Sequence, residues 1–269
     1  MQAQKEIIYS MDADLSEKRL VTASSDRVVR TYKIEDTQLI LDQELSGHDS
    51  PVTKAIFLNK GELICSGCYT GELFIWQLEG SSFVKKFSTK VFNGSINSIS
   101  HLFLENSFKI FCACSDGKVR ILTFDFKLNF KTEELNVHKF GITSISSNEK
   151  YFITGGVDNK VFLFDIKTNK EIYSFNEHTN IVRDVSIAKT NEFDLDVFAS
   201  CSDDGSVVIY YFEKEVIKKQ VIQINEPLSS LAWSKRGYSL SVGYGENMVK
   251  HYVPDVDGYF KEVDLERVE

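Results

Sequence analysis

The stretch Thr154-Gly-Gly-Val-Asp-Asn-Lys-Val-Phe-Leu-Phe-Asp165 decides the fold. Asp158 and Asn159 form a polar turn, and six residues after Asp158 a large apolar side chain, Phe164, closes a β-rich run. The same spacing returns at Asp26/Tyr32, Thr70/Trp76, Asp116/Leu122, Asp204/Tyr210 and Glu246/Tyr252. The periods are 44, 46, 42, 46 and 42 residues, the length of a four-stranded propeller blade and longer than helical repeats of about 33 or 34. One such sheet cannot bury both of its faces, so blades must stack on one another to make a core.

Within a unit, alternation and turn residues place the strands. The second unit reads as Val52–Leu58, Leu63–Cys68, Leu73–Leu78 and Phe83–Thr89; the fourth as Ile142–Ser146, Tyr151–Gly155, Val161–Ile166 and Glu171–Phe175. Asp116-Gly117, Asp204-Gly205 and Asn159 supply the positive φ that a tight turn between the second and third strands requires. The expectation is an all-β, six-bladed propeller in a single domain over residues 1–269, with blades near 7–45, 52–89, 96–133, 142–175, 181–224 and 227–263.

Composition fits this: 42% of the 269 residues are hydrophobic, 12% are aromatic, and there are three prolines. A net charge of -8 gives no basic face to grip phosphate, so direct nucleic-acid binding is not expected. Residues 1–6 are polar, without the apolar centre of a signal peptide, and no window approaches the roughly 18 apolar residues of a membrane span. A cytosolic or nuclear location is therefore expected. The five cysteines, Cys65, Cys68, Cys112, Cys114 and Cys201, fall in second strands and read as reduced core thiols. Cys65 and Cys68 have the spacing of half a zinc site, but residues three apart on a strand point to opposite faces and no second half exists, so no metal or cofactor is expected.

His178, Ser200 and Asp204 invite a hydrolase triad. Yet His138, Thr154 and Asp158 occupy the equivalent places one blade earlier, and His48 and Ser66 do so in the second blade, where Thr70 replaces the acid. Imperfect copies imply a structural turn network made of these eight residues (His48, Ser66, His138, Thr154, Asp158, His178, Ser200 and Asp204) rather than one catalytic centre, and no enzyme is expected. His101 and His251 read as half-buried strand residues.

The order of histidine, strand-two hydroxyl, turn acid and strand-three aromatic is similar to the WD-repeat pattern, although the Trp-Asp pair itself is absent. Thr22-Ala-Ser-Ser-Asp-Arg27, Gly47-His-Asp-Ser-Pro-Val52, Cys114-Ser-Asp-Gly-Lys-Val119, Gly155-Gly-Val-Asp-Asn-Lys-Val161 and Ile181-Val-Arg-Asp-Val185 together resemble the Sec thirteen family, the small propeller shared by the COPII vesicle coat and the nuclear pore scaffold. The chain departs from that family where Ile181 and Ile187 stand at positions that usually carry Trp. The resemblance implies a non-enzymatic scaffold subunit of a hetero-oligomer. An elongated helical-solenoid partner donates a blade in trans, membranes are met only through the coat, and the location is the cytoplasmic face of the endoplasmic reticulum, COPII vesicles and the nuclear pore complex.

Strand accounting points the same way. The first unit begins on its own first strand and the last ends on its own outer strand, leaving none to be shared, so the propeller is expected to be open and completed by the partner. Ile8, Tyr9, Val28 and Tyr32 of the first blade and Leu231, Trp233, Val242, Tyr244 and Tyr252 of the sixth are the expected partner interface. The alternative reading is a general WD-repeat adaptor that presents peptides on its top face, such as a ubiquitin-ligase substrate receptor or the sister nuclear-pore propeller.

Overall fold

In a computed structural model, the described residues are 6–36, 38–188, 196–213, 216–234 and 236–264. Residues 1–5 of the stretch read above for targeting lie outside them. The fold is all-β, of the six-bladed propeller class: the described residues hold six four-stranded antiparallel sheets, each built from four consecutive strands.

The chain divides into two compact units, Met1–Asn136 and Val137–Glu269. In the first, blade one is β1 (Ile8–Ala13), β2 (Arg19–Ser24), β3 (Val29–Glu35) and β4 (Gln38–Leu45). Blade two is β5 (Val52–Leu58), β6 (Leu63–Cys68), β7 (Glu72–Glu79) and β8 (Ser82–Lys90), and blade three is β9 (Ile96–Phe103), β10 (Ser107–Cys114), β11 (Lys118–Asp125) and β12 (Phe130–Asn136). In the second unit, blade four is β13 (Ile142–Ser147), β14 (Tyr151–Gly156), β15 (Val161–Asp165) and β16 (Glu171–Phe175). Blade five is β17 (Val182–Ile187), β18 (Asp196–Ser202), β19 (Ser206–Glu213) and β20 (Val216–Gln223), and blade six is β21 (Leu228–Trp233), β22 (Leu240–Tyr244), β23 (Met248–Pro254) and β24 (Phe260–Val263).

The cores lie between consecutive sheets. Val21, Ala23 and Val29 of blade one meet Ala55, Ile64 and Trp76 of blade two, whose opposite side sends Ile56, Cys65 and Ile75 against Ile99, Ile110 and Cys112 of blade three. The second unit repeats this with Ile153, Leu163 and Phe175 against Val185, Phe198 and Tyr210, and with Ala199, Cys201 and Ile209 against Leu231, Leu240 and Val242. Cys65 and Cys201 thus serve as small core side chains, and all five thiols are free and buried. Burial pushes the Cys114 thiol up to about 11, so it stays protonated and inert at neutral pH.

Among the described residues no ladder joins consecutive blades within a unit, and side chains reach across in its place. Ser10 Oγ accepts from the Ala55 amide at 3.0 Å, Asp12 Oδ2 from the Phe57 amide at 2.7 Å, and Ser146 Oγ from the Ile187 amide at 3.1 Å. Bonds of this kind satisfy the main-chain donors that face a gap between sheets.

The β-turn chemistry follows the sequence. Gly117, Gly205 and Asn159 have φ of 80°, 79° and 65°. Blade one departs from it: Arg27, a residue with no intrinsic preference for the left-handed region, has φ 73°.

Candidate protein-partner interface

In blades one to five the turn between the second and third strands is fixed by a polar cluster, and the chain uses three chemistries for it. In blades four and five an imidazole bridges the turn acid and a strand hydroxyl. His138 Nδ1 lies 2.7 Å from Asp158 Oδ1 and Nε2 lies 2.9 Å from Thr154 Oγ1; His178 Nδ1 lies 3.1 Å from Asp204 Oδ2 and Nε2 lies 2.7 Å from Ser200 Oγ. In blades one and three an arginine replaces the histidine. Arg30 pairs with Asp26 at 2.7 Å, and Arg120 forks onto Asp116 at 3.0 and 2.8 Å with its side chain almost wholly buried. Sequence reading missed both arginines, although their position four residues after the turn acid was visible. Blade two has His48 Nε2 2.8 Å from Ser66 Oγ, which also accepts from Trp76 Nε1 at 2.9 Å. Its turn residue Thr70 pairs with Ser50, 3.0 Å between hydroxyl oxygens.

The His178–Ser200–Asp204 set has the linear order of a hydrolase triad. Ser200, however, is 0% exposed and its Oγ lies 3.3 Å from the buried Tyr210 hydroxyl, so no carbonyl could approach it. His101 lies edge-on to Phe103, and His251 Nδ1 is 2.9 Å from Ser241 Oγ. Cys65 belongs to the core between blades two and three, whereas Cys68 Sγ sits 3.3 Å from Thr70 Oγ1.

These clusters carry a pH dependence. Burial lowers the pKa of His138 and His178 by more than Asp158 and Asp204 raise it, and His48 is pushed down to about 4 by burial and by the Lys85 charge. The unfolded chain, whose histidines titrate near 6.5, therefore binds more protons than the folded one as pH falls below that value. Burial works against Asp158 and Asp204 too, but the hydrogen bonds around them hold both below the usual carboxylate range, which adds a further loss near and below pH 4. Melting temperature is expected to be highest above pH 6.5 and to fall continuously toward pH 4. A flat or rising profile in calorimetry over that range would contradict the assignment of neutral imidazoles.

The expected interface residues divide sharply. Strand pairing puts Leu231 opposite Val242, and Trp233 opposite Leu240, which pairs with Tyr252. All of these face blade five: Leu231, Val242 and Tyr252 are in its shared core, Trp233 and Tyr244 pack on it, and Trp233 Nε1 donates to Ser186 O at 3.1 Å. In the first blade, Tyr9 stands edge-on to Tyr69 of blade two at 5.9 Å, Ile8 is exposed, and Val28 and Tyr32 are half-buried.

Period-two alternation then identifies the sheet faces that look away from neighbouring blades within each unit. Opposite the Val21–Ala23–Val29 side of blade one stand Leu20, Tyr32 and Leu41, which are cross-strand partners, together with Met11, Ile34 and Leu39. Met11 is 63% and Leu41 51% exposed, so apolar side chains stand open on this face within its unit, beside a polar row of Thr22, Arg30 and Glu44. The corresponding face of blade six carries Ala232, Ser241, His251 and Val263 in one cross-strand row, with Val249 beside them. It is smaller in side chain and more polar.

Comparison with known proteins agrees with the blade chemistry. Residues 40–77, 130–165 and 169–210 match the family described as WD domain, G-beta repeat. Over nearly its whole length the chain is similar to proteins of one kind. It is 26% identical to the protein transport protein sec13 of Aspergillus clavatus, across 97% of this chain and 100% of that one. It is 28% identical to protein transport protein SEC13-2 of Candida glabrata across 91% and 92%, and 23% identical to the SEC13 homolog of Drosophila melanogaster across 97% and 82%. The chain is thus similar to Sec thirteen proteins along nearly its whole length, and to WD repeats in three stretches. The two arginine-built turns of blades one and three lie in residues outside the three matched stretches.

Proposed function

We propose that the chain is a non-enzymatic scaffold subunit, a component of the COPII outer coat, of the nuclear pore scaffold or of both, that takes up a blade from a helical-solenoid partner and stiffens it. The observation that carries this is the apolar cluster on the outward face of blade one, Met11, Leu20, Tyr32, Ile34, Leu39 and Leu41, on a sheet that among the described residues is built from four strands of its own. An apolar patch of this kind on a protein surface marks an interaction site. A foreign sheet laid on it would bury a standard interface or more, roughly 1,600 Å² with an apolar centre. The relatives' printed names, which speak of protein transport, support the assignment to a transport coat. The buried hydroxyls of Ser66, Thr154 and Ser200 in the His48, His138 and His178 clusters support the absence of catalysis.

The interface residues that follow from the strand register are the six of blade one and, more weakly, Val249, His251 and Val253 of blade six. Ile8 and Tyr9 remain candidates at its edge, while Leu231, Trp233, Val242, Tyr244 and Tyr252 support blade six from behind. The test is reconstitution of the purified chain with a recombinant vesicle-coat solenoid and, separately, a recombinant pore solenoid. Stoichiometric co-migration on gel filtration with one or both is the expected result, and a monomer that ignores both overturns the proposal.

A further inference from the structure

Blade two departs from its sisters at three neighbouring positions at once. Strand register aligns Cys68 with Gly156 and Ser202, Thr70 with Asp158 and Asp204, and Glu72 with Lys160 and Ser206. Where His138 and His178 give their Nδ1 atoms to a turn carboxylate, Thr70 offers none to His48. As a result His48 Nδ1 is buried without a hydrogen-bond partner, in a residue only 5% exposed, while Nε2 is engaged by Ser66. The two other departures bring donors of matching chemistry to the same place. A ring nitrogen of His48, Cys68 Sγ and a Glu72 carboxylate oxygen all lie within 4.8 Å of one another, and Cys68 Sγ is 3.7 Å from Glu72 Oε2.

We propose that His48, Cys68 and Glu72 form a binding site for a divalent transition metal, with zinc the best match. One thiolate, one imidazole and one carboxylate are the donors zinc takes, and the mixture is too soft for magnesium or calcium. Zinc bonds of about 2.0–2.3 Å set donors somewhat closer together than they now stand, a change that rotation of the half-buried Glu72 side chain supplies. Thiolate and carboxylate together cancel the charge of the ion, so a nearly buried site stays neutral. Cys68 releases its proton to solvent as the metal binds. Ser66 is the outer support: accepting from His48 Nε2–H as well as from Trp76, it fixes the tautomer that presents the Nδ1 lone pair. The opposing charge is Lys85, 4.4 Å over the Phe74 ring that stacks on His48 at 3.9 Å. The Thr70 hydroxyl or a water fills the fourth position. In blade four Lys160 stands where Glu72 does, and Asp158 already occupies the Nδ1 of His138, so the site belongs to blade two.

The test is titration of the metal-free protein with Co²⁺, then displacement by Zn²⁺. One equivalent should bind at micromolar concentration, with thiolate-to-cobalt charge-transfer absorption in the near ultraviolet that zinc removes. Cys68→Ser should abolish that absorption, and Glu72→Gln should weaken binding by more than the roughly 10- to 100-fold that loss of an outer-shell partner costs. His101→Ala, in blade three, should bind as the parent does. Circular dichroism checks that each variant folds; if Cys68→Ser does not, Glu72→Gln decides. Absence of cobalt binding by the parent, charge transfer that survives Cys68→Ser, or unchanged affinity in Glu72→Gln would each overturn the proposal.

Discussion

The double substitution Met11→Asp with Leu41→Asp is expected to abolish capture of the solenoid partner while leaving the melting temperature within a few degrees of the parent. Both side chains stand on the face of blade one that turns away from blade two, and both are more than half exposed, so in the free chain the new carboxylates sit in water. Surface changes of this kind typically shift stability by about 0.5 kcal/mol or less each. In the complex the same carboxylates would be buried against an apolar sheet without a counter-charge, which is strongly disfavoured. Truncation of one central apolar anchor costs about 2 kcal/mol or more, so the pair should weaken binding by at least roughly 100-fold. Surface plasmon resonance against the immobilised solenoid reads this directly. Leu231→Ala and Val242→Ala make the contrasting control: both sit in the core shared by blades five and six, so they should lower stability and leave affinity nearly unchanged. If the core variants lost binding selectively and the surface pair did not, the partner would sit elsewhere.

Asp184→Ala is expected to be the most damaging polar substitution in the second unit. Asp184 Oδ1 accepts from Ser144 Oγ at 2.6 Å and from the Val185 amide at 2.9 Å, and Oδ2 accepts from the Leu231 amide at 2.8 Å. One carboxylate therefore ties the first strands of blades four, five and six together across gaps that no β-ladder spans. Without it, donors in part-buried positions lose their acceptor, at about 1–3 kcal/mol for each that water cannot reach. A total near 3 kcal/mol corresponds to a fall of roughly 6–12 °C in melting temperature for a chain of this size. Asp184→Asn, which keeps one acceptor oxygen, should lose less than half as much. Equal losses for Ala and Asn would mean that charge rather than hydrogen bonding holds the three strands.

The blades themselves were legible because the two signals that define them, a period near 44 residues and a spacing of six from the turn to a large apolar side chain, are local. Val52–Leu58 and Leu63–Cys68 are bounded in the structure as the alternation implies, and Gly117, Gly205 and Asn159 take the positive φ their turns demand. Which face of a strand looks toward a neighbour was not legible, because a one-residue ambiguity inverts every side chain. Blade six illustrates this: a register shift between Leu228 and Ser230 resets the alternation, and the large residues Leu231, Trp233 and Tyr252 all turn toward blade five. Blade one has a similar shift between Ile8 and Ser10, which puts Met11 rather than Ser10 on the outward face. The arginine-built turns of blades one and three escaped because a search for histidine copies does not register a guanidinium that does the same work from the third strand. Thr70 was visible as a missing acid, but its consequence, a buried imidazole nitrogen left free beside Cys68 and Glu72, needs three-dimensional proximity.

The account rests on the outward face of blade one receiving a sheet from another polypeptide. A photo-reactive phenylalanine analogue placed at Leu41, followed by irradiation of the reconstituted complex and peptide mapping, tests this most directly. Crosslinks from position 41 confined to a β-rich segment of the solenoid partner are the predicted result. Crosslinks to the partner's helices alone, or none from position 41 while the same probe at the exposed turn residue Tyr69 reacts, would contradict it.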